Sequence, residues 1–170
     1  MDLESTIRSI PDFPKKGILF RDVTTLIKNP VAYRQLIDEL AESLSGQHID
    51  LVVGPEARGF VIGSALAYAL GAGFVLARKP GKLPYKTIKH EYALEYGTDS
   101  LEMHVDAIQP GQRVVVADDL LATGGTALAT IRLVEQAGGK VAAARFVIEL
   151  SDLGGREALK GYDAKAAIVY

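Results

Sequence analysis

The sequence predicts an α/β fold, a mostly parallel sheet with helices on both faces and an antiparallel flap. Three observations lead there. Short apolar runs alternate with segments of helical spacing, and the runs are apolar throughout, as strands covered on both faces must be. The third is composition: 170 residues, 48% hydrophobic and 24% charged, suit one ordinary globular unit. No repeat, low-complexity tract or Ser/Gly-rich linker divides the chain, so a single domain over 1–170 is expected.

The elements follow in order. Asn29-Pro30 has the residue types of a helix cap and first helical position, and apolar residues then fall at Tyr33, Leu36, Ile37, Leu40, Ala41 and Leu44. IDLVVG (49–54) is a strand candidate, Phe60 to Leu70 a helix, Gly71-Ala72-Gly73 a turn and GFVLA (73–77) a second strand. A Gly- and Lys-rich connection begins at Arg78. EYALEY (91–96) and SLEMHV (100–105) read as extended pieces joined by Gly97-Thr98-Asp99, which has hairpin-turn residue types. After Pro110-Gly111, VVVA (114–117) is an apolar strand, 125–137 is helical in pattern, VAAARFVIEL (141–150) is a strand, and AAIVY (166–170) closes the sheet.

Composition excludes several function classes. The 19 Lys+Arg against 21 Asp+Glu leave a charge of −2, so no global basic field is available for nucleic acid. Without cysteine there is no disulfide, thiolate zinc site or cysteine nucleophile, and a reducing, cytoplasmic setting fits; His48, His90 and His104 lack close metal-ligand spacing. Asp2, Glu4 and Arg8 stand where a secretory leader would be apolar. The 18 uncharged residues from Phe60 to Ala77 reach the lower limit of a membrane span, but the Gly-Ala-Gly at their centre makes them a buried helix, turn and strand. No membrane or nucleic-acid partner is expected.

The stretch VVVADDLLATGGTA (114–127) carries the chemistry: an apolar strand ends in two adjacent carboxylates and runs into a Thr-Gly-Gly-Thr loop that opens a helix. Glycines let N–H groups approach an anion, threonine hydroxyls add donors, and the helix N-terminus adds partial positive charge, so Ala122 to Thr126 suits a phosphate. Asp118 and Asp119 suit sugar hydroxyls or a cation, and can offset positive charge forming on a sugar. Taken alone, the same residue types also serve as caps in a plain strand-to-helix turn. Neither a P-loop nor a GxGxxG fingerprint is present.

At full length this segment closely resembles the 5-phosphoribosyl-1-pyrophosphate (PRPP) motif of type I phosphoribosyltransferases. DFPKKGILFRDVTTLI (12–27) resembles the N-terminal signature of the adenine-specific family among them, and GPEARGFVIG (54–63), RKPGKLP (78–84), LEYGTDSLEMHVDAIQPGQ (94–112) and ADDLLATGGT (117–126) follow in that family's order. Thr25, where many relatives have proline, and Pro80 depart from its pattern. The resemblance implies a type I phosphoribosyltransferase fold with residues 1–30 as a base-binding hood. The implied reaction joins adenine to PRPP, giving AMP and pyrophosphate, with Mg2+ as cofactor held mainly by pyrophosphate oxygens.

Site residues are implied in the same way. Asp118 and Asp119 take the ribose hydroxyls and stabilise an oxocarbenium-like ribose; Ala122, Thr123, Gly124, Gly125 and Thr126 take the 5′-phosphate. Glu56, Ala57, Arg58 and Gly59 take pyrophosphate, with a non-proline cis peptide between Glu56 and Ala57. Arg78 and Lys82, in a basic run with Lys79, Lys86 and Lys89, also reach pyrophosphate, Arg78 across a homodimer interface, and Lys79 is implied as substrate-binding beside them. Leu19 and Arg21 read adenine through their main chain, and Phe20 and Leu120 sandwich the purine. Glu95, with Tyr96 beside it on the flap, matches a proton-exchanging carboxylate near N7. Two alternatives are a 6-oxopurine transferase, against which FPKKGILFRD speaks, and a PRPP-sensing regulator. The latter usually adds a DNA-binding domain, for which the roughly 50 residues before the first core strand are too few.

Overall fold

A computed structural model describes residues 1–94 and 96–170, with Leu94 in its backbone alone. Near the N-terminus, β1 (Arg8–Pro11) and β2 (Leu19–Asp22) pair antiparallel and lead into a short helix α1 (Thr24–Ile27). Helix α2 (Pro30–Glu42) starts as its sequence predicts, the Asn29 side chain accepting from the N–H groups of Val31 and Ala32. Next come β3 (Leu51–Pro55), α3 (Arg58–Leu70) and β4 (Gly73–Ala77); the hairpin β5 (Thr87–Leu94) and β6 (Gly97–His104); and then β7 (Arg113–Leu121), α4 (Gly125–Gln136), β8 (Lys140–Glu149), α5 (Gly155–Ala158) and β9 (Ala164–Val169). The strands β4-β3-β7-β8-β9 form one parallel sheet in that order.

Both faces of the sheet are covered, which is why its strands read as unbroken apolar runs. Val115 and Ala117 pack with Leu36, Leu40, Ile62 and Leu66 of α2 and α3. Val114 and Val116, pointing the other way, pack with Ile131 and Leu133 of α4 and with Leu101 and Met103 of the hairpin. Fully buried Arg145 donates to Ser43 Oγ, the carbonyls of Ala144 and Asp163, and the Asp163 carboxylate, so its charge is satisfied. Among the described residues no helix is long and apolar enough to cross a membrane.

Three of the boundaries that differ from the sequence expectation bear on the site. Gly97-Thr98-Asp99 is not the hairpin turn: Leu94 pairs with Gly97 and Tyr92 with Asp99, so all three lie in β6. Cross-strand contacts decide this, the Tyr92 hydroxyl lying 3.4 Å from Asp99 Oδ2. Strand β7 does not stop at Ala117 but runs to Leu121, because the long neighbour β8 supplies ladder partners as far as Glu149. Asp118 and Asp119 therefore stand on the strand, which continues past them through Leu120 and Leu121. Helix α3 begins at Arg58, two residues before Phe60.

Candidate active site

Two helix N-termini and one strand end meet at a cavity of about 250 Å³, lined by Glu56, Ala57 and Arg58 from one segment and Asp118 to Ala127 from another. Parallel strands bring these distant segments together, since β3 and β7 are neighbours whose C-terminal ends face the same way. Among the described residues, the N–H groups of Thr123 through Ala127 at the head of α4, and of Arg58 and Gly59 at the head of α3, donate to no protein acceptor. The cavity thus offers two clusters of free donors with helix-end positive potential, a place for two anionic groups.

Local sequence explains how each loop folds. Gly124 has φ 88°, which favours glycine, and a Cβ there would lie 2.9 Å from the Ala158 Cβ. A Cβ on Gly59 would lie 2.9 Å from Asp118 Oδ1 and as close to the Pro55 ring, so glycine lets the first turn of α3 press against the carboxylate. The Glu56–Ala57 peptide is cis, as expected.

The cavity's charges are unlike one another. Arg58 Nε donates to Asp119 Oδ2 from 61 residues away along the chain, and this bond raises the pKa of the guanidinium. Asp118 Oδ1 accepts from the Asp119 N–H at 2.8 Å. Burial, then the neighbouring Asp119 charge, pushes the Asp118 carboxyl well above the usual range. Two adjacent carboxylates, one partnered by arginine and one desolvated, are a functional-site pattern.

A second cavity of about 350 Å³ adjoins the first through Arg58, which lines both, and is otherwise lined by Ile10, Phe13 and Phe20 to Thr24. Phe13 and Phe20 pack edge to face with ring centres 5.1 Å apart, an apolar wall that a flat ring fits. The Arg21 side chain is turned to the Tyr170 ring at 3.7 Å and to Ser9 Oγ at 2.6 Å. Its side chain is thus engaged elsewhere, as a main-chain role allows.

Comparison with known proteins decides the family. Residues 24–165 match the family described as phosphoribosyl transferase domain. Over its full length the chain is 60% identical to adenine phosphoribosyltransferase of Alkaliphilus metalliredigens, covering all of both chains. The chain belongs to the adenine phosphoribosyltransferase family. Its structure superposes on the enzyme of Thermoanaerobacter pseudethanolicus with a TM-score of 0.96 at 54% identity, over 99% of this chain and 98% of that one. It superposes on the Saccharomyces cerevisiae enzyme, a complex with an imino-altritol bisphosphate and adenine, at 0.91 and 41%, over 97% and 96%.

Not every residue that the adenine phosphoribosyltransferase pattern nominates lines these cavities. Leu120 lines the first and Phe20 the second, with Arg58 common to both. Leu19 and Tyr96 are exposed, outside both. Arg78 Nε and the Lys79 N–H both donate to Glu56 Oε1, at 3.1 and 2.8 Å, and Lys79 Nζ pairs with Asp99. The basic run, which has no carboxylate within it before Glu91, is thus partly neutralised from other segments. Lys82 joins the same loop through its N–H to the Lys79 carbonyl. Glu95 lies outside the described residues. Thr25 ties α1 to the N-terminal segment, donating to the Thr6 carbonyl at 2.7 Å and accepting from the Arg8 N–H.

Asp22 was missed in the sequence. It is buried in the wall of the second cavity, accepting from the Thr24 N–H and hydroxyl and from Arg8. A D-x-T spacing, which favours such a turn, was the available signal. Its pKa falls from 3.8 to about 2, chiefly through the Thr24 hydroxyl and then Arg8. A depressed carboxylate adds stability above its unfolded pKa and loses it as pH falls through its folded one. Asp22→Asn therefore lowers the unfolding midpoint at neutral pH, and the difference from wild type shrinks between pH 4 and 2. Thermal melts of both proteins across that range check this; a gap that does not close excludes the network.

Proposed function

We propose that this chain transfers the 5-phosphoribosyl group of PRPP to adenine, giving AMP and pyrophosphate, as an enzyme of purine salvage. The observation that carries the reading is one cavity with two sets of free helix-end donors and two carboxylates, opening through Arg58 onto an aromatic-walled one. PRPP has two separate anionic groups flanking a ribose, and adenine is flat and apolar-faced. The loop 122–126 is assigned the 5′-phosphate and the turn 56–59 the pyrophosphate. Asp118 and Asp119 are assigned the ribose hydroxyls and the positive charge that grows on C1′ as its bond to pyrophosphate breaks and its bond to adenine N9 forms. The electron pair of the broken bond leaves on pyrophosphate; the purine attacks through its N9 lone pair and gives up its imidazole-ring proton, carried on N7, to the carboxylate assigned there, Glu95.

Adenine is assigned to the hood of residues 1–30, where the backbone of Leu19 and Arg21 offers a donor beside an acceptor and Phe20 and Leu120 flank the ring. Among the described residues no cluster of His, Cys, Asp or Glu could cage a metal. Mg2+ is assigned mainly to the pyrophosphate oxygens of the substrate, in the cavity that Asp118 and Asp119 line, where it would supply charge neutralisation. A homodimer with Arg78 reaching across the interface belongs to the same proposal. It is supported by Leu76, an exposed apolar side chain on the outermost strand β4, and by Val61 and Tyr68, exposed on α3. The cysteine-free sequence supports a cytoplasmic location.

A panel of purines with PRPP and Mg2+, read as nucleotide formed, tests the activity. Adenine is expected to outrun hypoxanthine and guanine by orders of magnitude, because an exchanged donor or acceptor leaves buried polar groups unpaired. Equal turnover of hypoxanthine, or no nucleotide from any purine, refutes the reading.

A further inference from the structure

Behind the loop at Ala122–Thr126 lies a segment that the reaction above does not use. Helix α5 presses directly on that loop. A Cβ on Gly155 would lie 2.5 Å from the Ala122 carbonyl oxygen and 2.8 Å from the Leu121 side chain, and a Cβ on Gly124 would lie 3.2 Å from the Gly155 Cα. Yet α5 is only four residues long, has no side-chain cap, and follows the exposed 3₁₀ turn Ser151–Leu153. So short a helix does not hold itself in place.

Besides buried Leu159 just after it, Arg156 is what ties it down. The Arg156 guanidinium donates from Nε, at 3.2 Å, and from Nη2 to the two carboxylate oxygens of Glu149, and from Nη1 to the Ala164 carbonyl. Glu149 ends β8 and pairs in the sheet with Leu121, the residue before the loop. Its side chain is 6% exposed, so without Arg156 a bare carboxylate would sit buried at the sheet end that carries the loop. That would oppose a phosphate as well as release α5.

We infer that the Arg156–Glu149 pair is a positioning device for the 5′-phosphate loop. It holds Gly155–Ala158 as a fixed wall against Ala122–Gly124, so the loop's N–H groups are set before the phosphate arrives. The inference rests on the proposed reading of that loop and goes beyond it by assigning two residues outside the cavity.

Two variants of the full chain test it from different sides. Arg156→Lys keeps the charge but loses the two-pronged fork. Gly155→Ala leaves the ion pair intact and drives a methyl toward the Ala122 carbonyl. Both are expected to weaken ribose 5-phosphate binding by about tenfold, the scale of one impaired hydrogen bond to a charged group. Pyrophosphate affinity, which belongs to the 56–59 turn, stays nearly unchanged, and the KM for PRPP rises more than kcat falls. Equal losses for both ligands, or a lower melting midpoint with both affinities intact, overturn the inference and leave the pair a structural one. Should Arg156→Lys fail to fold, the double variant Arg156→Gln with Glu149→Gln, which buries no unpaired charge, replaces it in the same comparison. A wild type that binds pyrophosphate but not ribose 5-phosphate refutes instead the reading of the loop.

Discussion

Glutamine in place of Glu95 is expected to lower turnover by about 10²–10⁴ while leaving PRPP affinity nearly unchanged, the effect of losing a general acid-base group without losing shape. The expectation rests on the segment LEYGTDSLEMH, in which Glu95 matches the family's carboxylate near adenine N7. The strands on either side of it belong to a hairpin whose Tyr92 ring lies against Gly125, the first residue of α4, so the hairpin is anchored beside the cavity. A hairpin covering bound substrate would exclude water and raise the pKa of a carboxylate on it, both useful to proton exchange. Single-turnover rates and PRPP binding, measured on the same variant, separate chemistry from affinity. A wild-type single-turnover rate makes Glu95 a residue of the hairpin and nothing more.

Asparagine at Asp118 or Asp119 is expected to cost turnover about 10²–10³, the scale of losing one electrostatic stabiliser, and to weaken PRPP binding as well. The two substitutions part company in stability. Asp118 is held protonated to higher pH than in the unfolded chain, chiefly by burial. The folded state therefore binds that proton more tightly, and stability is lost as pH rises from the unfolded pKa to the folded one. Asparagine escapes that loss and can still accept from the Asp119 N–H, so Asp118→Asn raises the melting midpoint at neutral pH while lowering activity. Such a trade is characteristic of a strained functional site. Asp119→Asn does the reverse, since it takes from Arg58 the carboxylate to which its Nε donates. Melting curves alongside kinetics check both. Stabilisation by Asp119→Asn would show that the Arg58 pair contributes nothing to the free protein.

Much of this was legible in the chain order because it depends on short-range periodicity. Val114 to Ala117 is apolar at every position, and a strand of that kind needs cover on both faces, which α3 and α4 supply. Asn29-Pro30 and the Thr-Gly-Gly-Thr loop are local too: a side-chain cap and a left-handed glycine act within a few residues of themselves. The candidate site was legible on a different ground, through segments that resemble one family's in residue type and order.

What needed the fold is pairing between distant residues. Nothing near Arg58 in the chain announces Asp119 as its partner, nor Asp99 for Lys79, nor Glu149 and the Ala122 carbonyl as neighbours of α5. The hairpin register was misjudged for that reason, since Gly97-Thr98-Asp99 has turn chemistry but lies opposite Tyr92 to Leu94. By itself, then, the sequence determined the alternation of strands and helices and the residue types of its loops, because hydrophobic period, capping and glycine conformation act over one or two turns of chain; the family was legible only through the resemblance of whole segments. The tertiary structure alone decided which carboxylate meets which cation and what stands behind the loop at Ala122–Thr126. Those contacts depend on strand order and register, which bring the ends of β3, β7 and β8 side by side whatever their separation in the chain.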